Sequence, residues 1–194
     1  SMYRYLDMPD VSCLIAPRKL IIINGKDDPS FLIDGAKEGY KTVEKIYKKV
    51  KKDHPDFKVI LGNEIYLCRN GLNANNFNRE YDKYYHFVLL AKDAIGHQQI
   101  REISTRAWRR SYMARGMRRV PTYYQDLFDI IGSNPGHIIA TTACLGGYCG
   151  TMFAANELDK IDRHLQMMGQ LFGDDFYIEL QPSKHEDQIK YNQY

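Results

Sequence analysis

The stretch YYHFVLLAKDAIGHQQIREISTRAW, residues 84–108, decides how the chain folds. Tyr84 to Leu90 is apolar on both faces, the pattern of a strand covered from either side in a parallel sheet. Asp93 follows it, and its carboxylate can accept from the free N–H groups that open a helix. Beyond Asp93, Ile100, Ile103 and Ala107 recur at helical spacing, which predicts a helix running to about Met113. A buried strand leading directly into an amphipathic helix is half of a βαβ unit.

The flanking sequence repeats the pattern. Lys19 to Asn24 is a short apolar run closed by Gly25, and the loop Asp27-Asp28-Pro29-Ser30 follows it. From Asp34 a helix is predicted, with Ala36, Tyr40, Val43, Tyr47 and Val50 on one face and lysines on the other, ending at His54-Pro55. Phe57 to Leu61 reads as a strand, continued from Glu64 to Cys68, and the Asn-rich stretch from Arg69 to Lys83 reads as a loop. Thr122 to Ile131 reads as a short helix and His137 to Thr142 as a strand, with a Gly-rich turn at Gly146-Gly147. Glu157 to Phe172 is helical and Phe176 to Leu180 a strand, and Ser183 with Glu186 forms a capping box for a last helix. The expected class is α/β with mainly parallel strands.

Composition narrows the function. The chain has 194 residues, 44% hydrophobic and 26% charged, which is ordinary globular usage and excludes a mostly disordered polymer. No apolar run approaches the ~20 residues of a membrane span, and no secretory signal pattern occurs. Four scattered cysteines are too few for a disulfide framework, so a reducing, cytoplasmic setting is expected. The net charge of +3 hides an uneven distribution. Arg101, Arg106, Arg109, Arg110, Arg115, Arg118 and Arg119 share one short window with a single glutamate, so the rest of the chain is mildly acidic. Trp108, Tyr112, Tyr123 and Tyr124 lie in or beside that window. Arginine among aromatics suits phosphates and stacked bases, so DNA contact through Arg106, Arg109, Arg110, Arg115, Arg118 and Arg119 stands against a solvated or internally paired cluster.

Three side chains sit where α/β folds gather reactive groups, at or near strand ends: Glu64, His86 and Cys144. Together they offer the oxygen, nitrogen and sulfur that zinc or manganese accepts. From residue type alone, a strand histidine is a satisfied interior group and a cysteine after a strand a small buried one. No G-x-S-x-G elbow and no G-x-x-x-x-G-K-[ST] phosphate loop occurs, so nucleophilic hydrolysis and nucleotide cradling lack their usual signals.

Residues 51–194 resemble the PHP domain (polymerase and histidinol phosphatase) of bacterial and phage DNA polymerase III alpha subunits. The resemblance rests on FKVILGNEIYL (57–67), the 84–108 stretch, GHIIATTACLGG (136–147) and FYIELQPS (176–183), while RRSYMARGMRRVPTYYQDLF (109–128) looks like a phage-type version. It implies a distorted (βα) barrel holding up to three metal ions, with phosphoester hydrolysis in some members and polymerase support or proofreading in others. It places Glu64, His86 and Cys144 on metal-ligand positions. The family's H-x-H and T-D-H motifs are absent from these residues and its D-x-H would lie beyond Tyr194. The resemblance therefore implies fewer zinc or manganese ions than a complete site, and residual hydrolysis at most. The implied partners are DNA or other polymerase domains, with homo-oligomerisation through exposed sheet edges as a further expectation.

Residues 1–50 are similar instead to the C-terminal part of α/β-hydrolases of the acetyl xylan esterase or dienelactone hydrolase kind, on YLDMPDVSCLIAPRKLIIINGKDDPSFLIDGAKEGYKTVEKIY (5–47). That resemblance makes Asp28 an orphan triad acid, without the serine and histidine a triad needs. Joined to the PHP-like remainder, it implies a chimera packed as one globular unit, with an inactive engineered scaffold as a further reading.

Overall fold

The computed structural model describes residues 41–46, 48–50, 52, 60–114 and 116–194. The chain divides into two compact units, 1–61 and 62–194. In the first, residues 41–46, 48–50 and 52 are helical, as the lysine-faced periodicity predicts, with Val43 buried and Lys48 paired to Glu44 one turn earlier at 2.9 Å. The strand expected at Lys19–Asn24 and most of the one expected at Phe57–Leu61 lie outside the described residues, as do the Asp28 loop and Arg115.

The second unit is built on a five-stranded sheet. Its strands are β1 (Gly62–Cys68), β2 (Tyr85–Ala91), β5 (Pro121–Tyr123), β6 (Ile138–Thr141) and β7 (Phe176–Tyr177), in the order β5-β1-β2-β6-β7. A separate hairpin pairs β3 (Tyr112–Ala114) with β4 (Met117–Arg119). The helices are α1 (Ala94–Arg109), α2 (Tyr124–Ile130), α3 (Tyr148–Ala154), α4 (Leu158–Phe172) and α5 (Glu186–Gln193). Among the described residues no helix is long and apolar enough to cross a membrane.

The sheet is mixed, which corrects the expectation of mainly parallel strands in this unit. The central pairs β1/β2 and β2/β6 run antiparallel, and the outer pairs β1/β5 and β6/β7 run parallel. The reason lies in the connection from β1 to β2, which is the Asn-rich loop and carries no helix. A parallel return needs a crossover, and a loop without one brings the chain back antiparallel. No closed barrel is formed by these strands.

Side chains alternate cleanly across the sheet. Ile65 and Leu67 of β1, Phe87 and Leu89 of β2, and Ile138 and Ala140 of β6 face a core completed by Ile100 and Ile103, Leu127 and Ile130, and Met168, Leu171 and Phe172. The opposite face carries Glu64 and Tyr66, opposed in register by Val88 and His86. A second cluster, Cys149, Met152, Ile161 and Tyr191, joins α3, α4 and α5.

Element ends differ from the sequence reading where side chains compete with the backbone. Asp93 caps α1 as predicted, accepting from Gly96 N–H at 2.9 Å. The helix stops at Arg109 instead of Met113, because Arg110 turns to Asp126 and the following residues enter the β3–β4 hairpin, which turns through Gly116 at φ +75°. β5 occupies Pro121–Tyr123 ahead of a shorter α2. Beyond the two paired residues of β7, the chain is held by Glu179 N–H donating to Thr142 Oγ1 at 3.0 Å. Ser183 accepts from His185 N–H at 3.1 Å and His185 takes the cap position of α5, so the expected capping box does not form.

Candidate functional site

Glu64, His86 and Cys144 meet on the sheet face opposite the core. Antiparallel pairing sets Glu64 and His86 two register steps apart on neighbouring strands, and His86 Nδ1 lies 2.7 Å from Glu64 Oε1. Cys144 arrives from the turn after β6, its Sγ 3.5 Å from the same ring nitrogen. With the proton on Nδ1, that N–H donates to the carboxylate, while Gly146 N–H donates to the sulfur at 3.3 Å.

The turn that delivers Cys144 is tightly specified. Ala143 sits in the left-handed region at φ 58°, a conformation that costs a non-glycine residue about 1 kcal/mol. His86 N–H donates to Gly146 O at 3.0 Å, and Gly147 N–H to Cys144 O at 2.8 Å. A Cβ on Gly147 would meet Thr142 O at 2.3 Å and His86 O at 3.1 Å, so only glycine lets this backbone approach β2. Gly146-Gly147, a Gly-rich turn in the sequence reading, is a packing device that holds a thiol against an imidazole.

The donor chemistry suits zinc or manganese, but the arrangement does not. Glu64 and Cys144 both address one nitrogen, so the three groups close on a hydrogen-bonded contact instead of surrounding a common point. Among the described residues no group of three or more His, Cys, Asp or Glu side chains is placed to hold a metal ion. The pair is also open, with the His86 and Glu64 side chains 33% and 46% exposed, which keeps its strength to that of a surface contact.

The arginine window splits in two. Arg110 makes a two-pronged pair with the buried Asp126 (Nη2 to Oδ1, 2.9 Å) and lies over the Tyr123 ring at 4.1 Å. Asp126 also accepts from Tyr123 N–H at 2.8 Å, so this pair staples the end of α1 to the start of α2. Arg106 bonds Glu102 at 2.7 Å and Asp129 at 3.4 Å. These two arginines are engaged inside the molecule. Arg109 and Arg118 are exposed, Arg118 donating to Ser111 Oγ at 3.1 Å. Arg119 lies over the Tyr84 ring at 5.3 Å.

Sequence reasoning missed three features. Asp82 is buried and paired to Arg69, which holds its carboxyl below the usual range. Tyr66 stands beside His86, a neighbourhood readable only once β1 and β2 are known to be antiparallel. His164 is 4% exposed and stacks on Tyr148 at 4.3 Å, and burial lowers its pKa to about 4. Its position on the apolar stripe of α4 was the available signal.

Known proteins share much of this sequence. The PHP domain family matches residues 25–183. The probable DNA polymerase YorL of Bacillus subtilis (strain 168) is 40% identical over 161 residues, covering 74% of this chain and 12% of that protein. The DNA-directed DNA polymerase of Bacillus phage SPbeta matches to the same extent. The DNA polymerase III subunit alpha of Aquifex aeolicus (strain VF5) is 30% identical over 178 residues, covering 81% of this chain and 14% of that protein. The chain thus spans about an eighth of the length of these relatives. The family match takes in residues 25–50, which the sequence reading had set beside the hydrolases, so those residues fall within one match with the rest. Matched from residue 25 to residue 183 and similar to the corresponding region of DNA polymerase III alpha subunits, the chain belongs to the PHP domain family.

Proposed function

We propose that the chain acts as the PHP domain of a replicative, phage-type DNA polymerase alpha subunit, supplying structure and contacts instead of efficient phosphoester hydrolysis. The observation that carries this reading is the closed contact of Glu64 and Cys144 on His86 Nδ1. Hydrolysis with two ions needs a shared ligand set around both, and these three donors, of which Glu64 is the one carboxylate, do not supply it. A cytoplasmic setting and other polymerase domains as partners go with the proposal. The continuous match over residues 25–183 supports one inherited domain over a chimeric scaffold and leaves Asp28 without a triad role.

Hydrolysis of bis(p-nitrophenyl) phosphate in added manganese or zinc tests the proposal. The rate is expected to be the same for the unaltered protein and for His86→Ala. A rate that falls with His86→Ala would contradict it.

DNA contact through the arginine window is a second reading, favoured by one observation: Arg109, Arg118 and Arg119 have no carboxylate partner among the described residues.

A further inference from the structure

The β3–β4 hairpin does not stand apart from the sheet. Tyr112 at its base is hydrogen-bonded through its hydroxyl to that of Tyr84, the residue just before β2. Arg119, opposite Tyr112 in the hairpin register, lies over the Tyr84 ring. Tyr84 is stacked on Phe77 of the Asn-rich loop, with centroids 6.2 Å apart, and meets Tyr66 edge-on at 6.3 Å. Tyr66 in turn meets His86 edge-on at 5.2 Å. Rings and guanidinium thus form one continuous row from the hairpin to the centre of the sheet.

Two members of the row have unused capacity. Tyr66 is 48% exposed although neighbouring rings pin it on two sides, so one aromatic surface is both held and accessible. Arg119 Nε is buried with no hydrogen-bond partner, and the hairpin residues 111–121 include no acid. Glu64, two residues from Tyr66 on β1, is engaged by His86. A fixed aromatic surface next to unneutralised guanidinium groups is the combination that binds a flexible polyanion carrying flat rings.

We infer that this row is a platform for single-stranded DNA, with a base stacked on Tyr66 and the adjoining phosphates on Arg118 and Arg119. The inference rests on the polymerase reading and gives it a site. Single strands are favoured over duplex because a paired base has no free face to offer Tyr66. The Arg106 and Arg110 guanidinium groups take no part, being tied to Glu102, Asp126 and Asp129.

Fluorescence anisotropy of a labelled oligothymidylate with the full chain, across a series of salt concentrations, tests the platform. Tyr66→Ala is expected to weaken binding roughly 5- to 100-fold and to leave the salt slope unchanged, since stacking releases no counterion. Tyr66→Phe is expected to restore the affinity. Arg118→Ala and Arg119→Ala are each expected to reduce the slope of log K against log salt by about 0.7, the share of one phosphate contact on a single strand. Thermal melts check that each variant is folded, and Arg118, exposed at the hairpin, serves if Arg119→Ala is not. Unchanged binding by Tyr66→Ala, an unchanged slope in folded arginine variants, or duplex bound as tightly as single strand overturns the inference. Failure to bind any oligonucleotide also overturns it and leaves the structural PHP reading standing. Hydrolysis dependent on His86 would instead overturn that reading and leave the platform intact.

Discussion

His164 has the clearest consequence of any single residue. It packs between Tyr148, stacked at 4.3 Å, and Tyr124, edge-on at 6.0 Å, with no carboxylate in contact among the described residues, and the surrounding apolar atoms hold it neutral. Burial also pushes the Tyr124 hydroxyl up, so it stays neutral throughout the acid range. The His164 pKa is about 4 in the folded chain against an ordinary histidine value of 6.5, so between those values the unfolded chain binds the proton and the folded one does not. Stability is therefore full above about pH 6.5 and declines as the pH falls towards 4, by a total on the order of 3 kcal/mol. Urea melts from pH 7 to 4 should show this loss, and His164→Phe should flatten it. A variant with the same pH slope would place its origin elsewhere. Asp82, held low by Arg69, titrates below this window and does not confuse the result.

Among the elements, the staple between α1 and α2 and the glycine turn after β6 matter most. Removing Asp126 leaves the Arg110 guanidinium partly buried without its anion, and loss of one partner of such a pair costs about 3 kcal/mol. Asp126→Ala should lower the unfolding free energy by that amount, and adding Arg110→Ala should recover part of the loss; equal and additive losses would show that the pair is not coupled. Gly147→Ala forces a Cβ to within 2.3 Å of Thr142 O, so it should destabilise by about 1–3 kcal/mol and separate Cys144 from His86. The melt measures the first effect. A crystal structure of the variant checks the second.

The same elements explain what the sequence could reveal. The Asp93 cap and the stripe Ile100, Ile103 and Ala107 were legible because both signals are local. Helix α3 was hidden by its glycines: Gly150 looks like a breaker, yet a Cβ there would strike the Leu145 backbone at 2.6 Å, so tertiary packing selects the glycine. The antiparallel β1/β2 pairing was hidden because a doubly apolar strand reads as parallel, and only the missing crossover helix argued otherwise. Glu64, His86 and Cys144 were found through their family positions, whereas their closure on one nitrogen depends on register. The arginine window was visible as composition; its division into inward and outward halves depends on Asp126 and Asp129, well removed in sequence.

At the scale of the whole molecule, the second unit has a core that needs no ligand to form. Ile65, Leu67, Phe87, Leu89 and the helices α1, α2 and α4 bury one face of the sheet completely. The other face keeps one carboxylate, one imidazole and one thiol in contact beside an aromatic and arginine row. That division fits a PHP domain kept for its surface and scaffold within a polymerase. Loading the purified chain with excess manganese or zinc, desalting it and counting the retained ions by mass spectrometry tests the central claim most directly. At most about one ion per chain is predicted, because Glu64 and Cys144 close on His86 Nδ1 and no group of three donors stands ready for an ion among the described residues. Two or more tightly held ions per chain would contradict the account.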